Sequence, residues 1–251
     1  MKIIQIVGRS NAGKTTFIKS LIPALSAHGV VGVVKHLGHH GFALEPGKDT
    51  TVYYDSHAAL SCGVDDDKSV LIRRENDLDS TLEVFCNAGV DYAILEGFKS
   101  RQFPRIVIGD LASENVVLRN PTVDEVIAVL ERFENYYTTE GLVKELRREH
   151  GVSHAGVILT LSEIVRERIG TEHIEDLEFD ETVDALIEDI RQEMESTPGI
   201  IGARAYHRKG RLYAGDDIAY IAILSERRAE AFAAASNAID RLKRELHDVE
   251  K

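Results

Sequence analysis

Eight consecutive residues carry the clearest chemistry in this sequence. Gly8-Arg9-Ser10-Asn11-Ala12-Gly13-Lys14-Thr15 has the spacing G-x-x-x-x-G-K-[ST], behind a strand-like run KIIQIV (2–7) and ahead of a helical stretch from Lys14 to His28. In that setting such a loop holds the phosphates of a nucleotide. Gly8 and Gly13 allow backbone angles that turn successive amide N–H groups inward, and the helix adds its free N–H groups and positive dipole end. Lys14 reaches the terminal phosphates and the Thr15 hydroxyl is a ligand for Mg²⁺. A partner carboxylate is expected at the end of a neighbouring buried strand. Glu96, directly after VDYAIL (90–95), fits, with an ordinary loop or helix-dipole carboxylate as the alternative. Asp49, entering a helix behind Gly47-Lys48, is a second candidate that a role as N-cap explains equally well. His36, His39 and His40 place three imidazoles within five positions and invite a metal site. No carboxylate or cysteine completes that set, so a glycine-rich loop over the nucleotide is the stronger reading.

The elements that must position these residues alternate. Strands are expected at 2–7, 30–36, 69–74, 90–95, 105–109 and 115–118, with helices at 14–28, 49–60, 77–88 and 121–135. This is the grammar of an α/β domain on a mostly parallel sheet. After Tyr136-Tyr137 the pattern changes. A helix (139–149) precedes the β-branched run VILTLSEIVRE, and Val183, Leu186, Ile187 and Ile190 recur at helical spacing in an acidic segment. Strands at 200–208 and 217–224 follow, then a helix from Arg227 with Phe232, Ala235, Ile239, Leu242 and Leu246 as its apolar stripe. Locally paired strands with flanking helices predict a smaller α+β domain, so the boundary is set at 136/137.

Composition limits the partners. The 251 residues contain 43% apolar side chains, enough for two buried cores, and carry 42 acidic against 30 basic groups for a net charge of −12. Broad nucleic-acid or anionic-membrane binding is therefore not expected. Residues 137–251 hold most of the excess, with 24 acidic and 16 basic residues, yet Arg204, Arg208, Lys209, Arg211, Arg227, Arg228, Arg241, Lys243 and Arg244 crowd the last third. A positive pocket inside an acidic domain suits a small anionic ligand. No apolar run is long enough for a membrane span, and the start reads as a strand and not as a signal peptide, which predicts a cytoplasmic protein. Cys62 and Cys86, with no CxxC spacing, are expected to be buried inert thiols. Tryptophan is absent.

The segments GRSNAGKTT, VVKHLGHHGFALEPGKDT and ILEGFK resemble MobB, the nucleotide-binding protein of molybdopterin-guanine dinucleotide biosynthesis, over residues 1 to about 136. The resemblance implies a P-loop domain that binds GTP, hydrolyses it weakly, forms a homodimer and assists a MobA-like guanylyltransferase. It puts Gly8, Ser10, Asn11, Ala12, Gly13, Lys14, Thr15 and Thr16 on the phosphates, and Thr15, Asp49 and Glu96 on the Mg²⁺ side. GTP rests on the resemblance alone, since no N-K-x-D guanine-reading motif occurs. One departure is Ala58-Ala59-Leu60 where the family has Ala-Gly-Ala.

From about 138 onward, GVILTLSEIVRER and AYHRKGRLYAGDDIAYIAILSERRAEAF followed by AIDRLK resemble MoaE, the large subunit of molybdopterin synthase. This implies a hammerhead α+β fold, a cyclic pyranopterin monophosphate as substrate and a MoaD-like sulfur carrier whose C-terminal Gly-Gly thiocarboxylate delivers sulfur. Arg166, Arg228 and Lys243 would be the catalytic cations, because an anionic pterin phosphate and a thiocarboxylate both need fixed positive charge. The departures are Arg227 for a histidine, Leu161 for a phenylalanine, Glu163 for the glycine before Val-Arg, and the absence of a Pro-x-Trp-Lys tail after Lys243, where only Lys251 remains. Arg228 and Lys243 stand fifteen residues apart, roughly 22 Å along a straight helix, so two chains are expected to build each pterin site. Molybdenum-cofactor biosynthesis is the resulting expectation. A non-catalytic adapter and a small-molecule kinase or ligase are the alternatives.

Overall fold

The computed structural model describes residues 1–38, 41–169, 172–173 and 175–247, which divide into two compact units, 1–136 and 137 onward. His39, His40 and Lys251 lie outside the described residues, so the three-imidazole cluster has no structural outcome.

The first unit contains β1 (Lys2–Gly8), α1 (Lys14–Ser26), β2 (Val31–Lys35), α2 (Asp49–Asp55), β3 (Leu60–Val64), β4 (Ser69–Arg73), α3 (Leu78–Ala88), β5 (Tyr92–Glu96), β6 (Arg105–Ile108), β7 (Val116–Arg119) and α4 (Val123–Ile127). Its main sheet is parallel in the order β2-β5-β1-β6-β7. β1 and β5 read as nearly unbroken apolar runs because both faces are covered. Ile4, Ile6 and Ile94 pack with Leu21 and Leu25 of α1, while Ile3, Ala93 and Leu95 pack with Leu82 and Cys86 of α3. α3 is capped at both ends: the Asp77 side chain accepts from the Ser80 N–H, and Gly89 adopts the left-handed conformation at φ 84°.

Three expectations for this unit change. The helix begun at Asp49 stops at Asp55, and β3 pairs with β4 as an antiparallel hairpin from Leu60↔Arg73 to Val64↔Ser69. The acidic run between them is a turn in which the Asp65 carboxylate accepts the N–H groups of Asp67 and Lys68. The helix expected over 121–135 is only α4, opened by the capping box of Thr122 and Glu125, followed by a 3₁₀ turn at Leu130–Arg132. Its chain must straighten at Asn135 to bridge Lys2. Cys86 is buried, but Cys62 is exposed, because it sits on the outward side of the hairpin.

The second unit contains α5 (Thr139–His150), β8 (Val157–Ile164), β9 (Arg168–Ile169), β10 (Glu172–His173), β11 (Asp176–Phe179), α6 (Thr182–Glu195), β12 (Ile200–His207), β13 (Gly210–Tyr213), β14 (Asp217–Ser225) and α7 (Arg228–His247). Its central sheet is antiparallel, β12-β14-β8, and β11 pairs with β13. Alternation along β14 explains the packing: Ala219, Ile221 and Ile223 face α6 and α7, whereas Ala222 and Leu224 face Leu142, Val143 and Leu146 of α5. Ala235, Ile239, Leu242 and Leu246 of the expected α7 stripe pack on this core, and only Phe232 departs from it. Ala231, Ala234, Ala235, Ala238 and Leu242 are buried, and Phe232 is 61% exposed. Alanines fill the first half of this face and Ile239, Leu242 and Leu246 the second. No helix among the described residues is long and apolar enough to cross a membrane.

Candidate functional site

In the first unit, parallel register brings the ends of separate strands together. Gly8 stands beside Ile108, while Ile6 and Lys35 both stand beside Glu96. Open parallel sheets present their ligand sites at this carboxyl edge. Gly8 packs so closely that a Cβ there would lie 2.3 Å from the Ile108 carbonyl oxygen, and Gly13 takes φ 92° immediately before α1. Both glycines are therefore required by geometry. Asn11 is left-handed too, at φ 60°. The Lys14 ammonium donates to the carbonyls of Arg9 at 2.7 Å and Gly8 at 3.3 Å, folding back over its own loop.

Glu96 is 8% exposed and meets the loop directly. Thr15 donates its hydroxyl to Glu96 Oε1 at 3.1 Å, and Lys35 pairs with the same oxygen at 3.1 Å. Lys35 was not a sequence candidate; the signal was a lysine at the end of a strand next to Glu96. Gln5, fully buried, donates to the carbonyls of Gly97 and Phe98 at 2.9 and 2.7 Å, which holds the left-handed turn behind Glu96. Thr15 and Glu96 form the hard oxygen pair that suits a magnesium ion. Asp49 is the first residue of α2, whose N-cap is Lys48, and makes no hydrogen bond or ion pair among the described residues. It is brought neither to Thr15 nor to Glu96 by any such contact. Ser10, Ala12 and Thr16 lie along the loop and first helical turn around Lys14.

The second unit holds a cavity of about 680 Å³ whose wall includes Leu161, Glu163, Arg166, His207, Leu242 and Lys243. Arg166 and Lys243 come from opposite ends of the unit, and the fold brings both to this wall. Arg166 is set by its neighbour Val165, buried and bonded through both its N–H and its carbonyl to Asp216 and Gly215. Lys243 follows the buried Leu242 on α7, and its Nζ lies 3.0 Å from Glu163 Oε1. Arg228, the first residue of α7, is exposed and does not line the cavity. Burial pushes the His207 imidazole below its usual value, so it is neutral near pH 7. Glu163 and His207 were not candidates either. A carboxylate inside the β8 run and a histidine closing an apolar strand were the only signals.

The comparisons with known proteins divide the chain at the same place. The family model described as molybdopterin guanine dinucleotide synthesis protein B matches residues 3–132, and the MoaE protein model matches residues 136–245. A probable molybdopterin synthase of Haloferax volcanii is 29% identical over 98% of this chain and 93% of its own length. A probable molybdopterin-guanine dinucleotide biosynthesis adapter protein of Bacillus subtilis is 35% identical over 54% of this chain and 79% of its own length. Molybdopterin synthase from Staphylococcus aureus, a solved structure, is 27% identical over 40% of this chain and 75% of its own, with a TM-score of 0.35. A glycine-lysine-threonine loop closed by a buried glutamate, joined in one chain to a two-cation cavity, thus belongs to the molybdopterin guanine dinucleotide synthesis protein B family in its first unit and carries a MoaE domain in its second, both serving molybdenum cofactor biosynthesis.

Proposed function

We propose that the first unit binds GTP with Mg²⁺ and that the second binds the pterin substrate of molybdopterin synthesis and a thiocarboxylated sulfur carrier. The first half is supported by the Thr15–Glu96 contact at the phosphate loop. Gly8, Ser10, Asn11, Ala12 and Gly13 would turn their N–H groups to the phosphates, with Lys14 and Thr16 beside them. Thr15 and Glu96 would hold the metal, which supplies neutralisation of phosphate charge. The resemblance adds Asp49 to the Mg²⁺ side, while no contact among the described residues brings it to Thr15 or Glu96. Turnover is slow in this reading, since no arginine finger is evident in the unit. The product is GTP held for a guanylyltransferase of the MobA kind, consistent with the adapter name of the B. subtilis relative.

The observation that carries the second half is that Arg166 and Lys243, distant in sequence, line one cavity. There Arg166 binds the phosphate of a cyclic pyranopterin monophosphate. Lys243 would stabilise the negative charge that develops when the carrier's thiocarboxylate sulfur adds to an electrophilic side-chain carbon of the pterin. The oxygen of that carbon leaves as water, and a second water cleaves the carrier thioester to leave the sulfur on the pterin. Arg228 enters from a second chain, because it stands roughly 22 Å along α7 from Lys243. The working unit is therefore a homodimer, and a strict monomer with full pterin affinity overturns that element.

The decisive experiment mixes the protein with thiocarboxylated carrier and pterin precursor. Dithiolene product is expected from the wild type and at least a tenfold slower rate from Lys243→Ala. A second reading, a non-catalytic adapter, is favoured by one contact: Lys243 is already paired with Glu163. Carrier binding without product would select it.

A further inference from the structure

The cavity contains two side chains that the binding of an anion does not call for. Glu163 on β8 and His207 at the end of β12 are both in register with Ala219 on the middle strand β14. Residues in register project to the same face of a sheet, so the three form a row across it. That is the face covered by α6 and α7. Adjacent strands are separated by about 4.8 Å, so the outer two backbones stand roughly 10 Å apart over the small Ala219 side chain.

Both outer side chains present acceptors. The Glu163 side chain, 17% exposed, engages Lys243 at 3.0 Å through one oxygen. His207 is 2% exposed, with Phe179 edge-on at 4.5 Å. Its Nδ1 lies 2.7 Å from the Arg208 carbonyl oxygen and must therefore be the protonated nitrogen. That leaves Nε2 as an acceptor, and it has no hydrogen-bond partner among the described residues. A buried polar atom without a partner is uncommon and asks for one. Against these acceptors stand two cations, Lys243, which Glu163 holds, and Arg166, which forms no ion pair among the described residues.

We infer that Glu163 is the specificity-determining residue of this cavity: with His207 it forms an acceptor wall for the N–H or O–H donors of a heterocyclic ligand, and by holding Lys243 it weakens the grip on phosphate. The inference rests on the pterin reading for the heterocycle but not for the phosphate. An anion approaching Lys243 shares the ammonium with a carboxylate already in contact at 3.0 Å, whose own side chain is 17% exposed. The phosphate of a ligand is thereby directed to Arg166, and its donor-bearing ring to the wall.

The test titrates neopterin, neopterin monophosphate and inorganic phosphate into the full-length protein and into Glu163→Gln. The variant should bind the monophosphate and inorganic phosphate about tenfold more tightly, equal to about 1.4 kcal/mol, and bind neopterin no more tightly than the wild type. Unchanged or weaker phosphate binding by a folded Glu163→Gln overturns the inference. In the wild type, the side-chain nitrogen resonance of His207 Nε2 should move when neopterin is added; a stationary resonance with neopterin bound overturns the acceptor wall. If neither pterin binds either protein, the pterin reading falls and the wall with it. The inorganic phosphate comparison then still decides the role of Glu163 at Lys243.

Discussion

The phosphate loop of the first unit and the cavity of the second differ in what they are made of. The loop is chiefly backbone: two glycines, a left-handed asparagine and the N-terminus of α1 supply its geometry within eight residues. The cavity is side chains delivered by β8, β11, β12 and α7 from across the unit. A backbone site depends on local sequence and tolerates little change in it. A side-chain site depends on the register of distant strands, and one residue such as Glu163 can alter its charge without disturbing the fold.

Core substitutions should have the largest effect on either unit. Ile94 and Ile223 are fully buried, one in each unit. Replacing either by Ala should cost about 2–5 kcal/mol, read by chemical denaturation with a probe in each unit. A shift confined to the substituted unit supports two separately assembled sites; equal shifts in both refute it. Next in size is Lys14→Ala, which removes the ammonium proposed to reach the terminal phosphates and should weaken GTP binding by about 100-fold while leaving neopterin monophosphate affinity unchanged in calorimetric titration. The same titration with ATP tests the base, and tighter ATP than GTP binding removes the case for GTP.

The smallest effect concerns acid. Arg191 and Gln192 donate to Glu188 and hold its carboxyl at about 2, against an ordinary value of 4.5. A carboxyl with a lowered folded value contributes stability above the unfolded value and loses it as pH falls through the folded one. The urea midpoint of the second unit should therefore decline between about pH 4.5 and 2, and the part due to this pair should vanish in Arg191→Met. Glu188 is largely exposed, so solvent screening keeps the effect small.

Much of this architecture was legible because local rules and tertiary packing agreed. The strand before Gly8, the helix from residue 77 to 88 and the buried β5 ending at Glu96 were all readable from apolar spacing. Where they disagreed, packing prevailed. The helix expected to 60 yields to a hairpin, in which Ser61 turns inward between the outward-facing Leu60 and Cys62. The expected α7 stripe holds at Ala235, Ile239, Leu242 and Leu246 but not at Phe232, whose place on the buried face is taken by Ala231 and Ala234. Arg166 and Lys243 came from the resemblance, yet their common cavity follows from how β8 and α7 pack, and for His207 the segment AYHRKGRL gave a strand end but no place in a cavity.

By itself, the sequence determined what contiguous residues can do: a loop of glycines, a lysine and a threonine before a helix is fixed by allowed backbone angles over eight positions. It also determined the two-part organisation, since apolar periodicity changes after Tyr137. Only the tertiary structure decided that Glu96, Lys35 and Thr15 share one contact, and that Glu163 faces Lys243 while Arg228 does not line their cavity. Those relations depend on parallel and antiparallel register, and register is set by which faces bury together, a quantity that no short stretch of sequence contains.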